Sequence, residues 1–503
     1  MPYFCFQNDL IMLDFNTLLQ TEENLDPQDW KRMKQLGYRM VDEMMHYLQH
    51  IGEGPVWRPT PETTQIHLQQ ALPQSAEPIE AIYEAFKTHI LPYNKGNVHP
   101  RFWSWVQGTG TPFAMLAELL AAGMNPNLGI GDHAAMYMEN QVIGWCKEML
   151  GYSTEASGLL VSGGSTANIT AILVARNAFD ERIRREGLRA LPGQLTLYAS
   201  SETHSCQQKA VEVAGLGSDA LRKVPVNADF QIDTSELRKL IAADRAAGKI
   251  PFCLVGNAGT VNTGAIDPLE ELHEIAREAQ LWFHVDGAFG ALAKLVPEYQ
   301  LALKAIEQAD SVAFDLHKWM YMPYEVGCVL IKNAQQHRDA FAMQPNYLLQ
   351  HERGLAAGPD PLSNFGMELS RGFKALKVWM SFKEHGIAKF ARLIRQNIAQ
   401  AFYLGYLIEN EPLLELLTPV TMNIVCFRFN PGGLAQEQLN ALNKEILMRL
   451  HESGLAAPSY TILHGSYALR VANVNHRSRK EDFAALAESV VRIGQEVGTE
   501  AVL

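Results

Sequence analysis

Between residues 194 and 331 the sequence alternates short apolar runs with helical stretches. The apolar runs predict five strands, at 194–200, 251–257, 281–287, 311–317 and 326–331. Helical spacing of apolar residues predicts helices such as 166–180 and 269–279. Apolar strands that alternate with helices form a mostly parallel sheet covered on both faces. Ligands of such sheets bind beyond the carboxyl ends of the strands, so the informative side chains should directly follow the strands.

Helical segments flank this central region. Upstream, the pattern predicts helices near 30–50 and 77–90, and the stretch WRPTPETT separates them because proline cannot continue a helix. Downstream, it predicts one long helix at 374–410, strands at 423–429 and 467–474, and helices at 435–451 and 480–497. We therefore expect three parts: a helical N-terminal segment (1–98), a large sheet domain (99–385) and a smaller C-terminal α+β domain (386–503).

The composition limits the class of partner. The chain has 503 residues, 47% of them hydrophobic and 19% charged, and its formal net charge is −12. A nucleic-acid partner requires a clustered basic face, which this acidic balance disfavours. No run approaches the roughly 18 consecutive apolar residues of a membrane span. We therefore expect neither a nucleic-acid partner nor membrane insertion.

The cysteines and the start of the chain indicate a cytoplasmic protein. The six cysteines are scattered without a CxxC spacing, and several lie in apolar runs such as PFCLVGN. They are predicted to be buried, reduced thiols, forming neither a disulfide frame nor a metal site. The start, MPYFCFQNDLIML, lacks a basic region and carries Asp9 in its apolar stretch, so it is a poor signal peptide. Translation could start at Met1 or at Met12.

A lysine follows the predicted strand 311–317, in the sequence Asp315-Leu316-His317-Lys318-Trp319. Lysine is rarely buried without a partner. In a partly desolvated pocket its amine becomes nucleophilic through a lowered pKa, which suits Schiff-base chemistry with a carbonyl. The alternative is a loop lysine whose amine reaches solvent.

An aspartate, Asp286, follows the strand 281–287 in the segment HVDGAFG. Pyridoxal phosphate (PLP) withdraws electrons best when its ring nitrogen is protonated, and a paired carboxylate keeps that proton in place. The small residues Gly287 and Ala288 would let a flat ring approach the backbone. The alternative is an aspartate that caps the next helix.

Two further segments suit the same cofactor. The loop VSGGSTAN (161–168) opens a helix, where free N–H groups and the helix dipole favour phosphate, and the hydroxyls of Ser165 and Thr166 can add donors. It is neither a Walker A loop nor GxGxxG, which disfavours a nucleotide. His204, in ETHS after the strand 194–200, could stack on a flat heterocycle and bond a substrate carboxylate. The alternatives are a well-capped helix start and an exposed loop histidine.

The order SGGSTAN, ETHS, HVDGAFG and DLHKW resembles the group II PLP-dependent decarboxylases, which include aromatic-L-amino-acid, histidine and glutamate decarboxylases. The resemblance covers about 99–478 and includes further segments: HPRFW, Glu139 in the helix before Trp145, QPNYL, Ser370-Arg371 and LRVANVNHRS. It implies a fold-type I PLP-transferase fold with a seven-stranded, mostly parallel central sheet. It also implies a homodimer with active sites at the interface, in which the N-terminal helices clasp the partner and the loop of Tyr347 reaches it.

The resemblance implies a role for each matching residue. Lys318 would bind PLP as a Schiff base, Asp286 would pair with the ring nitrogen, and His204 would stack on the ring. The other implied roles are these: phosphate binding by Gly164, Ser165, Thr166 and His317, ring packing by Ala288, proton donation after CO₂ loss by Tyr347, and substrate side-chain contacts by His99, Phe102 and Trp103. The chain departs from the aromatic branch at Asp315, at Val261 and near Asn127 or Leu128, which leaves the substrate side chain open.

The predicted function is PLP-dependent decarboxylation of an L-amino acid to its amine and CO₂. Phe102, Trp103 and Trp105 suit an aromatic or apolar side chain, unless they are core packing.

Other PLP reactions remain alternatives: aldehyde synthesis, transamination or lysis. Because Tyr347 and His204 are present, decarboxylation is favoured over aldehyde synthesis, which the family links to their replacement. Transamination needs a pair of carboxylate-binding arginines, for which Arg371 and Arg470 are candidates only. A catalytically silent homologue is disfavoured because the cofactor-site residues are intact.

Overall fold

A seven-stranded sheet forms the centre of the protein. The structure is a computed structural model that describes residues 19–343 and 350–500. The strands, in chain order, are β1 (Phe102–Trp103), β2 (Ser157–Val161), β3 (Leu195–Ser200), β4 (Leu221–Val224), β5 (Ile250–Asn257), β6 (Trp282–Asp286), β7 (Ser311–Asp315), β8 (Gly327–Ile331), β9 (Leu414–Leu416), β10 (Ile424–Phe429), β11 (Ala457–Leu463) and β12 (Ser466–Ala472). The central sheet has the order β2-β8-β7-β6-β5-β3-β4. Only β8 runs antiparallel to its neighbours within it, so the predicted mostly parallel sheet is confirmed.

Helices cover both faces of this sheet and extend beyond it. In chain order they are α1 (Trp30–Gln49), α2 (Glu62–His67), α3 (Ile79–His89), α4 (Pro112–Met124), α5 (Ala134–Leu150), α6 (Gly164–Phe179), α7 (Arg182–Glu186), α8 (Cys206–Val213), α9 (Thr234–Ala246), α10 (Leu269–Ala279), α11 (Leu316–Trp319), α12 (Ala334–Phe341), α13 (Ala375–His385), α14 (Ile387–Glu409), α15 (Gln436–Glu452) and α16 (Lys480–Glu500). The single helix predicted at 374–410 is wrong. It is two helices because Gly386, at φ +69°, turns the chain between α13 and α14.

A second sheet contains strands from both ends of the chain. Its order is β1-β11-β12-β10-β9, and β1 pairs in parallel with β11. The short strand β1 therefore joins a sheet whose other strands follow residue 413. Trp103 of β1 packs in its core against Phe483, with ring centroids 4.8 Å apart. The segment after the N-terminal helices is thus anchored on the C-terminal sheet.

The N-terminal helices bury little of their surface within one chain. In α1, which is described in full, Leu36 is the one buried residue, and in α3 it is Tyr83. Ion pairs of Arg32 with Glu80 and of Arg39 with Glu84 join the two helices. Exposed ion pairs contribute little to stability, and helical stability in proteins comes mainly from packing of an apolar face. Within one chain, these helices therefore bury too little apolar surface to have the packing that usually stabilises a helix.

The cysteines agree with their predicted state. The five that lie among the described residues are buried and free: Cys146, Cys206, Cys253, Cys328 and Cys426. Cys5 lies outside the described residues. Among the helices described, none combines the length and apolar character needed to cross a membrane.

Candidate active site

A cavity of about 510 Å³ opens at the carboxyl ends of the central strands. Four sequence-predicted segments meet there, following β2, β3, β6 and β7. The cavity is lined by these predicted cofactor-site residues: Gly164, Ser165, Thr166, His204, Asp286, Ala288, His317 and Lys318. Residues more than 150 positions apart thus form one concave site, as expected for a parallel sheet.

Lys318 lies in α11, the helical turn that directly follows β7. Its Nζ is 2.8 Å from Oδ2 of Asp315, a residue only 1% exposed. Burial alone would lower the pKa of the Lys318 amine, but attraction to Asp315, their hydrogen bond and the charge of Asp286 outweigh it and raise the pKa above its ordinary value. The expected lowered pKa is therefore wrong for this state. The carboxylate of Asp315, three residues earlier in the chain, reverses the effect of burial.

Asp286 ends β6 and is 5% exposed. Its Oδ1 accepts from the backbone N–H of Ala288 at 3.2 Å, and its Oδ2 accepts from Gln207 Nε2 at 3.2 Å. The Cys206 thiol lies 3.7 Å from the same Oδ2. Each oxygen thus accepts from an N–H donor, and hydrogen bonds of this kind fix the orientation of the carboxylate.

The loop before α6 forms a cradle for an anion. The helix begins at Gly164, and the first N–H groups of a helix have no partner within it. A Cβ on Gly164 would lie 2.7 Å from Asp315 Oδ2, and one on Gly163 would lie 3.1 Å from the His317 ring. Only glycine allows this close approach. Ser162 Oγ and Thr166 Oγ1 are 2.8 Å apart and hold the loop across its first turn.

Two histidines, His317 and His204, line the cavity, and a backbone N–H fixes the ring of each. His317 Nδ1 accepts from the backbone N–H of Val326 at 3.1 Å, so its proton lies on Nε2. Burial lowers the pKa of His317 to about 4, which keeps the ring neutral. Nδ1 of His204 accepts from the backbone N–H of Cys206 at 3.1 Å, and burial also lowers the pKa of His204. His317 can thus donate from Nε2, and His204 presents a fixed ring to the cavity.

The aromatic residues predicted to contact substrate lie elsewhere. His99 is buried and bonds Gly54 through its Nε2, while Phe102 packs in a small apolar cluster. Trp103 lies in the core of the second sheet and donates from Nε1 to Ser478 Oγ at 3.1 Å. Within one chain these three residues do not line the cavity, and their role as substrate contacts stays a prediction.

Instead, Trp105 lines the cavity and is 56% exposed, at φ +54°. Tyr460 and Tyr324 line it as well, as does Val261. Asn127 does not line this cavity; it bonds the backbone N–H groups of residues 129 and 371 through Oδ1. Apart from Trp105, the aromatic side chains that line the cavity are therefore not the predicted ones.

Neither candidate arginine is free to bind a substrate carboxylate. Arg371 forms a buried ion pair with Glu139 and donates to the Leu160 carbonyl oxygen at 2.9 Å, away from the cavity. Arg470 lines the cavity, but its guanidinium is held by protein acceptors through four of its five N–H groups: the carbonyl oxygens of Trp105, Val261 and Asn262, and the hydroxyl of Ser459. The arginine pair that transamination requires is thus not provided by these two residues. Tyr347 lies outside the described residues.

The residues present fit PLP. The Gly163–Gly164 loop at the start of α6, the Lys318 amine and the Asp286 carboxylate line one cavity, and the close contacts of Gly164 leave no room there for a Cβ.

Comparison with known proteins identifies the family. Residues 61–430 match the family model of the pyridoxal-dependent decarboxylase conserved domain, which is most of the chain. The chain belongs to this decarboxylase family. It is a PLP-dependent amino-acid decarboxylase. It is 33% identical over 471 residues to the aromatic-L-amino-acid decarboxylase of Bacillus atrophaeus, covering 93% of this chain and 96% of that relative. It is 30% identical over 475 residues to the phenylacetaldehyde synthase of Petunia hybrida, covering 90% and 92%.

Solved structures share the fold of this decarboxylase. The Catharanthus roseus tryptophan decarboxylase in complex with L-tryptophan aligns with a TM-score of 0.83 and 25% identity, covering 94% of this chain and 100% of that one. The Oryza sativa TDC with PLP and tryptamine aligns with a TM-score of 0.87 at 24% identity, over the same shares.

Three polar residues of the site had no signal strong enough to be predicted. Asn168 lines the cavity and accepts from Gln207, which does not line it, at 2.7 Å, and Asp315 pairs with Lys318. The sequence gives one hint for Gln207, its place in the first turn of the helix that begins directly after the segment of His204.

Proposed function

We propose that this decarboxylase acts on an aromatic L-amino acid. The observation that carries the proposal is the aromatic share of the cavity lining, since Trp105, Tyr324 and Tyr460 line the same cavity as Lys318. Aromatic side chains provide large contact areas and bind flat rings in stacked or edge-on arrangements. The names of the Bacillus and Catharanthus proteins support the same substrate class.

The residues of the site would share the work as follows. PLP, when bound, withdraws the electrons released as the Cα–carboxylate bond breaks. Lys318 would hold the cofactor and yield it to the substrate amine, and Asp286 would keep the ring nitrogen protonated. The remaining contacts are proposed as phosphate binding by Gly164, Ser165, Thr166 and His317, ring stacking by His204 and ring packing by Ala288.

Two features support decarboxylation over transamination. Arg371 and Arg470 are both held by protein acceptors, and burial lowers the pKa of His204, which favours its neutral ring. A substrate carboxylate without an arginine partner, held near a neutral ring, is not stabilised as an anion and departs more readily as CO₂. Arg470 instead fixes the 261–262 backbone against Trp105 and so shapes the substrate side of the cavity. We propose Tyr347 as the acid that returns a proton to Cα.

The substrate class can be tested by assaying CO₂, amine, aldehyde and peroxide with the twenty amino acids. We expect CO₂ and amine from aromatic substrates. Trp105→Ala should lower kcat/KM for them by about tenfold to a hundredfold, because a lost apolar contact changes discrimination by that order. Phe402→Ala, at an exposed aromatic of α14 outside the cavity, should match wild type. A preference for acidic or basic amino acids would contradict the proposal, and aldehyde with peroxide would place the activity with aldehyde synthases.

We further propose a homodimer in the cytoplasm, with the N-terminal helices in the interface. The support is the unburied apolar stripe of α1, on which Met33 and Met40 are exposed large residues seven positions apart. Two turns of helix separate them, so they share one face. Reduced, buried thiols agree with a cytoplasmic location.

The dimer is tested by charge substitution on this stripe. Met33→Glu combined with Met40→Glu should convert the dimer to monomer in analytical ultracentrifugation at micromolar concentration, because two buried charges without partners oppose association. Lys34→Glu, on the same helix, should leave the dimer intact. A double variant that sediments like wild type would place the interface elsewhere.

A further inference from the structure

A chain of hydrogen bonds behind the cavity joins the two ends of the cofactor site. Gln207 is fully buried in α8, three residues after His204. Its Nε2 is 3.2 Å from Asp286 Oδ2 and 2.7 Å from Asn168 Oδ1. Asn168 donates from Nδ2 to the carbonyl oxygen of Gly164 at 2.8 Å. Two side chains, Gln207 and Asn168, therefore link the carboxylate to the first turn of the phosphate cradle.

The direction of these hydrogen bonds is fixed by their neighbours. Because Nδ2 of Asn168 is a donor, its Oδ1 can only accept, and it accepts from Gln207 and from His284 Nε2 at 2.7 Å. Burial lowers the pKa of His284 to about 4, so the ring is neutral and its Nδ1 accepts from the Ser311 hydroxyl at 2.8 Å. Both hydrogens of the Gln207 amide are thus used, one by Asn168 and one by Asp286.

The buried side-chain amide of Gln207 has an unfavourable free energy, because one of its polar atoms lacks a hydrogen-bond partner among the described residues. A residue kept at this cost indicates that its two N–H donors are needed. Oε1 of Gln207 is buried and has no hydrogen-bond partner among the described residues. An unpaired buried acceptor destabilises a protein, whereas an apolar residue would fill the same space without that penalty. A reversed amide would set Oε1 against Oδ2 of Asp286 and Oδ1 of Asn168, which are both acceptors. The arrangement therefore keeps the two N–H groups where they are and leaves the oxygen unpaired.

We propose that Gln207 is a positioning residue for Asp286: it holds the carboxylate facing the ring nitrogen, and ties it through Asn168 to the phosphate cradle. Asp286 and Asn168 line the cavity, whereas Gln207 lies behind them and contacts no reacting atom. The distance between ring-nitrogen site and phosphate site is then set by side chains as well as by the sheet. This inference rests on the proposed pairing of Asp286 with the ring nitrogen.

The test compares Gln207→Met with Gln208→Met in the full-length chain. Methionine keeps the length of the side chain but removes the N–H groups. Gln208 is exposed on the same helix, where it bonds Glu212, and provides the matched control. Each protein, freed of bound cofactor, is titrated with PLP and with its 1-deaza analogue, in which C–H replaces the ring nitrogen. We expect Q207M to raise the apparent Kd for PLP about tenfold, since it removes a charge-assisted hydrogen bond.

The Kd for the deaza analogue should change less than about twofold in Q207M, because that ligand makes no ring-nitrogen hydrogen bond for Asp286 to support. Q208M should match wild type with both ligands. Equal losses for both ligands would show that Gln207 only shapes the cavity, and an unchanged Kd for PLP would show that Asp286 needs no support. Either result overturns the proposal.

A second variant covers a failure of Q207M to fold. Gln207→Asn keeps an amide but withdraws it by one methylene, so it cannot reach both partners, and it should show the same preferential loss of PLP affinity. A Q207N protein that binds both ligands like wild type would also overturn the proposal. Wild-type protein that binds PLP and the deaza analogue equally would instead refute the pairing of Asp286 with the ring nitrogen, independently of Gln207.

Discussion

Lys318→Arg should give a folded protein that no longer retains PLP covalently and releases CO₂ at least about 10³-fold more slowly than wild type. Among the described residues that line the cavity, Lys318 is the one lysine. Arginine keeps a positive charge beside Asp315, whose buried carboxylate would otherwise lose its partner at a cost of about 3–5 kcal/mol. The guanidinium does not lose its proton in proteins and is no nucleophile. The change therefore removes the covalent chemistry while sparing the fold.

Covalent retention is measured by borohydride reduction of the PLP-loaded protein, followed by mass spectrometry of its peptides. The label should lie on Lys318 in wild type and be absent from Lys318→Arg, whose melting temperature should stay close to that of wild type. Lys332→Ala, at an exposed lysine that donates to the Gln308 carbonyl oxygen, should keep both label and activity. A label on another lysine of wild type, or undiminished CO₂ release by Lys318→Arg, would contradict the assignment.

The large sheet could be predicted from sequence because its central strands are buried on both faces. β5, β6, β7 and β8 are almost continuously apolar, and such runs leave little ambiguity. β4 was missed because it lies at the edge of the sheet, where Arg222 and Lys223 interrupt the apolar pattern. β1 was missed because two residues form no period, and its pairing depends on β11, more than 350 residues away.

The candidate site was predictable to the extent that its residues follow strands. Lys318 lies in the segment that directly follows β7, and His204 lies in the segment that directly follows β3. Asp286 is the last residue of β6. These positions bring the three side chains to one cavity. The pKa of Lys318 could not be predicted in the same way, since its direction depends on the 2.8 Å contact with Asp315.

The identity of the aromatic contacts was less predictable. Trp103 and Trp105 lie two residues apart and would share a face in a continuing strand. β1 ends at Trp103, and the positive φ of Trp105 turns its side chain into the cavity instead of the core. Gln207 was invisible for a different reason: its role depends on a buried partner 79 residues away.

Asp286→Asn should lower kcat by about 10³-fold, or about 4 kcal/mol in activation free energy, with a smaller effect on KM. The substitution keeps the shape of the side chain, but its single carbonyl oxygen can accept from only one of the two donors, Gln207 Nε2 or the Ala288 backbone N–H, which bond different oxygens of Asp286. What it removes is the negative charge that would hold a proton on the ring nitrogen. Because the electron demand on the cofactor is greatest as CO₂ leaves, the loss appears in the chemical step more than in substrate binding.

The measurement is steady-state CO₂ release together with reconstitution by N-methyl-PLP, whose ring nitrogen carries a permanent positive charge. If Asp286 acts through the charge of the ring, N-methyl-PLP should raise the kcat of Asp286→Asn at least about tenfold above its value with PLP. This gain is expected although the methyl group occupies space that a proton does not. Asp229→Asn, at an exposed aspartate outside this cavity, should show neither the loss nor the recovery. A kcat within about threefold of wild type in Asp286→Asn would show that the ring needs no charged partner here, since a group of that importance is expected to contribute a hundredfold or more.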